Sequence, residues 1–362
     1  MNHGIELEPV LSMPRLKSVN GMQIALLMLN GPHSGFVAPI SDGFQKHSCH
    51  VRCLGPTDRW NFDDCEYLLM YGPMHSIGWA ISRLRKTGNV PPIVFWVTEQ
   101  LPNPSQSFRK TRLAAQGRFI IENCANELPA RIRQLKQLQR FTGRAGRYRV
   151  IGELLAIQRL FTLRLVCVFS ETNRRTLSNL GLPVVQIPMG YHSSFGVDLN
   201  LDRDIDVVFL GSTIDSRRHK LMGDLETELK SRRIRLVIKD GSKERGSIHG
   251  DDRTHLLNRS KIMLNIMRQP WDDLVFRELL AAPNRAMVIS ESLTPTALGP
   301  FLPNIHFAMA YPEELPDTIT HYLKHEDERR IITDNAHEEV TQKLTMERMA
   351  GLILDRLKLS DN

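Results

Sequence analysis

The sequence predicts an α/β protein of two domains, each built around a mainly parallel sheet, with a cleft between the domains. Two observations support this prediction. Strand-like and helix-like segments alternate twice along the 362 residues, and a polar, turn-rich segment at 190–205 separates the two series. Such alternation is typical of parallel sheets covered by helices on both faces. A chain of this length can build a separate core in each half.

The first series predicts an amino-terminal domain at 21–190, preceded by an extension at 1–20. Three apolar runs have the length of buried strands: 22–29, 67–71 and 93–97. Between the last two, apolar residues recur at helical spacing. A helical segment at 108–164 leads into the strand–helix–strand pattern that closes this domain.

The second series predicts a carboxyl-terminal domain at 191–345, followed by a helix at 346–362. Its strands are predicted at 206–211, 234–241, 261–267 and 286–290. A helix predicted at 272–282 ends beside Pro283, because proline cannot continue a helix. In open parallel sheets ligands bind at the carboxyl ends of the strands, so the candidate site residues are sought there.

Positive charge is concentrated in one stretch, residues 108–149, with eleven Lys and Arg against two Glu. The net charge of this stretch is +9, whereas that of the whole chain is +7. The rest of the chain therefore has a net charge of 7 − 9 = −2. Such a stretch suits lipid phosphate, an anionic membrane face or nucleic acid, or it is simply a solvated helical face. No recognised nucleic-acid motif accompanies it, so nucleic acid is not expected as a partner.

Several protein classes are disfavoured by what the sequence lacks. It has no GxGxxG or GxxxxGK[ST] loop, no CxxC pair among its five cysteines, and no apolar run near the length of a membrane span. The acidic run DRDID at 202–206 precedes a strand, so it is interpreted as linker polarity. A cytoplasmic protein without a metal or other cofactor is therefore expected, at most peripheral to the inner face of a membrane.

Two adjacent charges, Arg277 and Glu278, interrupt the apolar helix at 272–282. Asp273 and Arg277 are four residues apart, so they should face each other on the helix. Glu278 should lie near the carboxyl end of the 261–267 strand and face the cleft. A carboxylate there can accept hydrogen bonds from both hydroxyls of a ribose. The alternative is a surface ion pair with a favourable helix-dipole contact.

Residues 166–353 resemble the carboxyl-terminal half of group-1 type glycosyltransferases, in particular the CgeB-like proteins. The likeness is carried by four segments: VFSETNRRTLSNLGLPVVQIPMGY, VVFLGSTIDSRR, LLNRSKIMLNI and VFRELLAAPNRAMVISE. It implies the GT-B fold, in which two Rossmann-like domains face each other. Two positions depart from the family pattern. Pro283-Asn284 replaces a glycine turn, which Asn can still form by adopting a left-handed conformation, and Pro270 occupies the place of a second Glu.

The resemblance and the predicted strand ends together identify a set of donor-binding residues. Gly211 and Ser212 form the turn after the first strand of the second domain, where glycine lets a phosphate approach the backbone. Arg217 resembles the diphosphate-facing Arg of the family, and Lys239 ends a strand beside it. The complete donor set is Gly211, Ser212, Arg217, Lys239, Asn265, Arg268, Asp273, Arg277 and Glu278.

The amino-terminal domain is expected to bind the acceptor and to supply any catalytic base. The candidates are His75 and Glu99, with His33 as a weaker third. A histidine at a helix start has a pKa near neutrality and can act as a general base, although such a residue often only caps or packs. Glu99 would orient the acceptor or brace the cleft.

The predicted function is transfer of a sugar, of the hexosyl type, from a nucleoside-diphosphate sugar to an acceptor hydroxyl without a metal ion. The acceptor is a glycan, a lipid-linked sugar or a small molecule, as in polysaccharide or glycoconjugate biosynthesis. Two alternatives stay open: a nucleotide-sugar epimerase on the same fold, and a non-catalytic binding protein that has kept the fold.

Overall fold

The computed structural model describes residues 21–29, 35–72, 77–127, 146–241 and 248–359. Within these ranges the chain forms two parallel sheets, one in each domain, as the alternating pattern predicts. No helix in the described part of the chain is both long enough and apolar enough to cross a membrane.

The first sheet has six parallel strands in the order β2-β1-β3-β4-β5-β6. The strands are β1 Gln23–Met28, β2 His50–Leu54, β3 Tyr67–Gly72, β4 Ile93–Val97, β5 Leu163–Val168 and β6 Val184–Gln186. Strands β3 and β4 are buried along their whole length, which matches their uninterrupted apolar sequences. Strand β2 was not predicted, because its sequence HVRCL alternates polar and apolar residues at an exposed edge.

In the described part of the first domain, five helices connect these strands. They are α1 Val37–Gln45, α2 Gly78–Thr87, α3 Phe108–Glu127, α4 Gly146–Leu160 and α5 Glu171–Ser178. Ser170 caps α5, because its side chain accepts a hydrogen bond from the Asn173 N–H.

The second sheet has five parallel strands in the order β11-β10-β9-β7-β8. The strands are β7 Ile205–Leu210, β8 Leu236–Lys239, β9 Ser260–Asn265, β10 Met287–Glu291 and β11 Ala308–Ala310. Its helices are α6 Ser216–Ser231, α7 Gly250–Asn258, α8 Val275–Ala281, α9 Leu315–Lys324 and α10 Glu326–Glu338. A helix start at Val275 leaves Asp273 outside the helix that was predicted at 272–282.

The last helix, α11 Met346–Leu359, crosses back to the first domain and packs on α1. Two glycines allow this contact, because an added Cβ would lie 2.7 Å from Met346 Cγ at Gly43 and 2.5 Å from Met346 Cα at Gly190. One cluster of buried apolar side chains therefore runs from strands of the first sheet through α8 to α11. The two domains are joined by a shared core as well as by the linker.

The turn at Pro283-Asn284 forms differently from the sequence-based expectation. The residue in the left-handed conformation is Arg285 (φ +57°), and Asn284 closes a short 3₁₀ turn before it. The Asn284 side chain donates to the Leu280 carbonyl at 2.7 Å and accepts from the Asn258 amide at 2.9 Å. Asn284 thus fastens the end of α8 to α7 and to the linker beside Gly196.

Substitution of Gly196 should destabilise the protein. Gly196 has φ +142°, and an added Cβ would collide with the Asn284 side chain. Gly196→Ala is expected to cost roughly 2–4 kcal/mol through backbone strain and loss of the Asn284 hydrogen bonds. Thermal unfolding of the purified variant measures the effect.

Gly223→Ala is the matched control. Gly223 lies in α6 with nothing within 4 Å of an added Cβ, so alanine should raise the melting temperature slightly. Equal melting temperatures for Gly196→Ala and the parent protein would contradict this account of the linker.

Candidate functional site

Arg277 reaches from α8 to the carboxyl end of β7. Its Nη1 donates to the carbonyl of Leu210, the last residue of β7, and its guanidinium lies 5.6 Å from the centroid of the Phe209 ring. Gly211 follows with φ +151°, and an added Cβ there would lie 2.8 Å from Arg277 Nη2. Glycine at this position therefore lets a buried arginine lie directly against the turn after β7.

Three arginines lie together at this edge of the second sheet. Arg218 donates to the Ser212 carbonyl at 3.0 Å. Burial, together with the charge of Arg268, lowers the pKa of Arg218 to about 10. Burial and the charges of Arg218 and Arg268 lower the pKa of Arg277 to about 9. Within the described part of the chain none of the three forms an ion pair within 4 Å, so the cluster suits a bound anion.

Arg217 makes different contacts from its neighbour. Its guanidinium donates to the Met267 carbonyl at 3.0 Å and forms a two-pronged ion pair with Glu291. Glu291 also accepts the Met267 N–H at 2.6 Å, so this pair ties α6 to the ends of β9 and β10. The diphosphate contact expected of Arg217 stays a prediction. Arg218, which the sequence analysis did not single out, joins the arginine cluster instead, although the pair of adjacent arginines was a visible signal.

The other predicted donor residues lie around the same sheet edge. Ser212 contributes its carbonyl to Arg218, and the Lys239 carbonyl accepts the Gly211 N–H at 3.0 Å. Asn265 is buried, and its side-chain amide donates to Ser290 Oγ at 2.9 Å. This bond holds the amide between β9 and β10, and the donor contact of Asn265 stays a prediction.

Glu278 is completely buried, with an exposed fraction of 0%. Neither carboxylate oxygen has a hydrogen-bond partner among the described residues. Burial raises the pKa of Glu278 well above its ordinary value. The surface ion pair considered as an alternative is therefore wrong. A buried carboxylate without a donor is costly, so Glu278 is a candidate for contact with a bound ligand.

The predicted pairing of Asp273 with Arg277 is also wrong. Asp273 precedes α8, and its pKa is influenced by hydrogen bonds from the Gln100 and Ser170 side chains and the Val275 backbone. Burial, and secondarily the charge of Asp272, raise the pKa of Asp273 to about 7. Asp273 is therefore a buried acid at the junction with the first domain.

The segment leading into α8 is held by the first domain. Arg147 donates to both oxygens of Asp272, at 2.7 and 3.3 Å, and this ion pair is largely buried. The Trp271 indole N–H donates to the Leu101 carbonyl at 3.1 Å. These contacts link the position of α8 to the relative position of the two domains.

An aromatic cluster makes a second contact between the domains. The Phe36 ring in the first domain lies 5.6 Å from the Phe276 ring on α8, between centroids. Phe36 also lies 5.5 Å from Phe195 in the linker and 5.3 Å from Tyr71 at the end of β3. Packing of this kind stabilises the joint mainly through apolar burial.

In the first domain, Glu99 follows β4 at the carboxyl edge of the sheet. Burial and then the charge of Glu99 raise the pKa of Tyr71 well above its ordinary value, so this carboxylate lies near the Tyr71 hydroxyl. His75 and His33 lie outside the described residues. Sequence reasoning missed Glu153, a buried residue of α4 whose Oε1 accepts the Ile77 N–H at 2.8 Å before α2.

A cavity of about 670 Å³ lies between the domains, beside the segment that leads into α8. Nine of its fifteen lining residues carry a hydroxyl or amide group, and the lining also includes the aromatic rings of Phe108 and Trp271 and one charged side chain, Arg175. On its wall, the Thr172 hydroxyl of the first domain donates a hydrogen bond to the Thr296 hydroxyl of the second domain at 2.7 Å. No group of three or more His, Cys, Asp or Glu in the described residues is arranged to hold a metal ion.

Comparison with known proteins supports the family resemblance in the second domain. Residues 216–355 match a family model described as glycosyl transferase-like, which confirms the likeness to group-1 type glycosyltransferases over that region. No curated protein is significantly similar in sequence to the chain.

Solved structures share the fold of the whole chain at low sequence identity. HepE from Anabaena, solved with UDP and glucose, is 11% identical with a TM-score of 0.57, covering 94% of this chain and 100% of its own. Sucrose-phosphate synthase from Thermosynechococcus elongatus is 12% identical with a TM-score of 0.56 and the same coverages. A glycosyltransferase from Rickettsia africae is 11% identical with a TM-score of 0.56, covering 94% and 98%. The predicted GT-B arrangement of two facing Rossmann-like domains is confirmed.

The two buried acids predict a characteristic dependence of stability on pH. For each, the folded protein retains the proton to higher pH than the unfolded chain, so stability falls as pH rises above the unfolded value near 4. For Asp273 the loss should continue to about pH 7. At pH 7, Glu278→Gln and Asp273→Asn should therefore both melt at a higher temperature than the parent protein. Melting temperatures from pH 4.5 to 8 measure this difference.

The difference between each variant and the parent should shrink as the pH falls toward 4.5, because the unfolded chain there begins to take up the proton that the folded chain already holds. Glu326→Gln, on the exposed start of α10, is the control and should not melt at a higher temperature than the parent at pH 7, because it removes an exposed, ion-paired carboxylate rather than a buried one. A Glu278→Gln variant that is less stable than the parent at pH 7 would show that the carboxylate has a favourable partner.

Proposed function

We propose that this protein is a glycosyltransferase that moves a sugar from a nucleoside-diphosphate sugar to an acceptor hydroxyl, and that Glu278 binds the ribose of the donor. The unpartnered Glu278 carboxylate is the observation that carries the proposal. A ribose presents two adjacent hydroxyls, and a carboxylate can accept from both at once. Ligand hydroxyls would supply the donors that the described protein lacks.

The two charged residues of α8 lie in an order that suits a nucleotide, in which the ribose is linked to the diphosphate. Arg277 and Glu278 are adjacent in sequence, and Arg277 belongs to the arginine cluster at the turn after β7. A ligand that gives its ribose to Glu278 would place its diphosphate toward Arg277, Arg218 and Arg268. One short helix would thus bind both parts of the donor.

Catalysis would rest on charge stabilisation and positioning. The bond between sugar and diphosphate breaks with negative charge developing on the diphosphate, and clustered arginines stabilise that charge. Three arginines supply the positive charge that a divalent cation provides in other phosphate sites, so we propose transfer without a metal ion. Arg217 would act indirectly, by holding the ends of β9 and β10 through Glu291.

Binding of the donor requires movement, because Glu278 is closed off from solvent in this arrangement. The segment before α8 is held by Arg147 and Leu101 of the first domain. We propose that the domains separate to admit the donor and close again over it. Closure would exclude water from the reacting groups, as in other enzymes with mobile domains.

The acceptor would enter from the cavity between the domains. Hydroxyl and amide linings with exposed aromatic rings suit the hydroxyls and apolar faces of a carbohydrate. Glu99 and His75 stay the proposed candidates for the catalytic base. Transfer of a hexosyl group stays part of the proposal.

A non-catalytic binding protein is the second candidate, and the proline at position 270 favours it. Many family members are expected to carry a Glu there, whereas Pro270 lines the cavity without a polar side chain. Product analysis separates the candidates. A transferase releases the nucleoside diphosphate and joins the sugar to an acceptor, an epimerase changes the sugar without an acceptor, and a binding protein leaves the donor intact.

Donor binding can be tested by calorimetry with UDP-, GDP-, dTDP- and ADP-linked glucose. At least one should bind the parent protein, with UDP-glucose the first to test because HepE was solved with UDP and glucose. Glu278→Gln should weaken that binding about 10- to 100-fold, because charged hydrogen bonds to the diol contribute roughly 1.5–3 kcal/mol. Glu326→Gln, an exposed change of the same type, should leave binding unaltered.

The proposal is wrong if Glu278→Gln binds the donor with the affinity of the parent. It is equally wrong if no nucleotide sugar in the panel binds the parent at millimolar concentration. A Glu278→Gln variant that binds weakly but is at least as stable to heat as the parent supports a direct contact.

A further inference from the structure

Helix α3 carries apolar side chains on the face that points away from the protein. Leu113, Ile120 and Ile121 are 70%, 60% and 54% exposed. On the opposite side of the helix, Thr111 and Ala115 are buried, and α3 packs there against α4. The three apolar residues therefore do not belong to the core that holds α3 in place.

Basic side chains lie among these apolar residues. At 100° per residue, Arg109 and Lys110 fall within about 60° of Leu113, on the same side of the helix. Both are exposed, and neither forms an ion pair with a described residue. The outer face of α3 is defined here as Arg109, Lys110, Leu113, Ile120 and Ile121.

The described chain does not cover the outer face. Gly117 lies at its centre, and an added Cβ there meets nothing within 4 Å. Of the fourteen large apolar side chains exposed in the described residues, three belong to this face, whereas the exposed Ile331 is the only one on α10. Exposed apolar side chains along one face of a helix, with basic residues among them, indicate an interaction surface.

Charge decides which partner fits. A second copy of the chain would bring Arg109 and Lys110 against their own equivalents, which is unfavourable. Nucleic acid would meet the basic groups but not three exposed aliphatic side chains. An anionic bilayer meets both, because its phosphates attract the basic groups and its acyl boundary accepts the aliphatic ones.

We propose that the outer face of α3 docks on the surface of an anionic lipid bilayer, with the helix lying parallel to the membrane. Leu113, Ile120 and Ile121 would enter the boundary between headgroups and acyl chains, and Arg109 and Lys110 would contact lipid phosphates. The surface does not depend on sugar transfer. If the proposed function also holds, α3 would lie between the docked membrane and the interdomain cavity, because Phe108 and Thr111, which line that cavity, are on the opposite side of the helix from Leu113.

Vesicle co-sedimentation of the full chain tests the proposal. Vesicles of phosphatidylcholine with 30% phosphatidylglycerol should sediment the parent protein at 50 mM salt, and vesicles of phosphatidylcholine alone should not. Arg109→Gln with Lys110→Gln should lower the partition coefficient roughly 25-fold, since each basic side chain contributes about a factor of five. Ile120→Asp should lower it on the order of tenfold or more.

Ile331→Asp is the matched control, because Ile331 is equally exposed at 61% but lies on α10. It should bind vesicles like the parent. The proposal is overturned if the parent does not sediment with anionic vesicles, or if the α3 variants sediment as well as it does. A large loss of melting temperature in Ile120→Asp would also overturn it, by showing that the chain itself covers this face. Calorimetry with the nucleotide sugars on the same variants tests the proposed function separately, because changes on the outer face of α3 should not alter donor binding.

Discussion

The candidate site is defined by buried charged side chains that lack protein partners near the joint between the two domains. Glu278 is buried without a donor, and close to it on α8 begins a cluster of three arginines that lack ion pairs within the described chain. A folded protein that needed only stability would pair these groups or replace them by apolar ones. A nucleotide offers what both lack, because its ribose donates hydrogen bonds and its diphosphate carries negative charge. Our proposal is that these unpaired groups form the protein's side of a complex with a nucleotide.

The same region connects ligand binding to domain position. Helix α8 supplies Arg277 and Glu278, and the segment just before it is held by Arg147, Leu101 and the Asp273 contacts of the first domain. Phe276 on the same helix packs on Phe36 across the joint. A ligand that moves α8 must disturb these contacts, and separation of the domains must free α8. Donor binding and closure are thus expected to stabilise each other.

Much of the fold follows from local pattern, whereas the site follows from it only in part. Apolar runs predicted the buried strands β1, β3 and β4, but edge strand β2 lacks the pattern and was missed. The sequence identified Glu278 and Arg277 by their place on an apolar helix. It paired Asp273 with Arg277 because it placed the helix start three residues early. It did not single out Arg218, because spacing cannot show that Glu291 binds Arg217 while Arg218 lies with the other arginines. Such partners lie far apart in sequence and become neighbours only in the folded chain.

A crystal structure of the protein with bound UDP-glucose tests the central claim most directly. The account predicts that both ribose hydroxyls lie within about 2.5–3.0 Å of the Glu278 carboxylate oxygens. The diphosphate should contact Arg277 and at least one of Arg218 and Arg268. A structure in which the nucleotide binds elsewhere, and Glu278 stays buried without a ligand contact, would contradict the account.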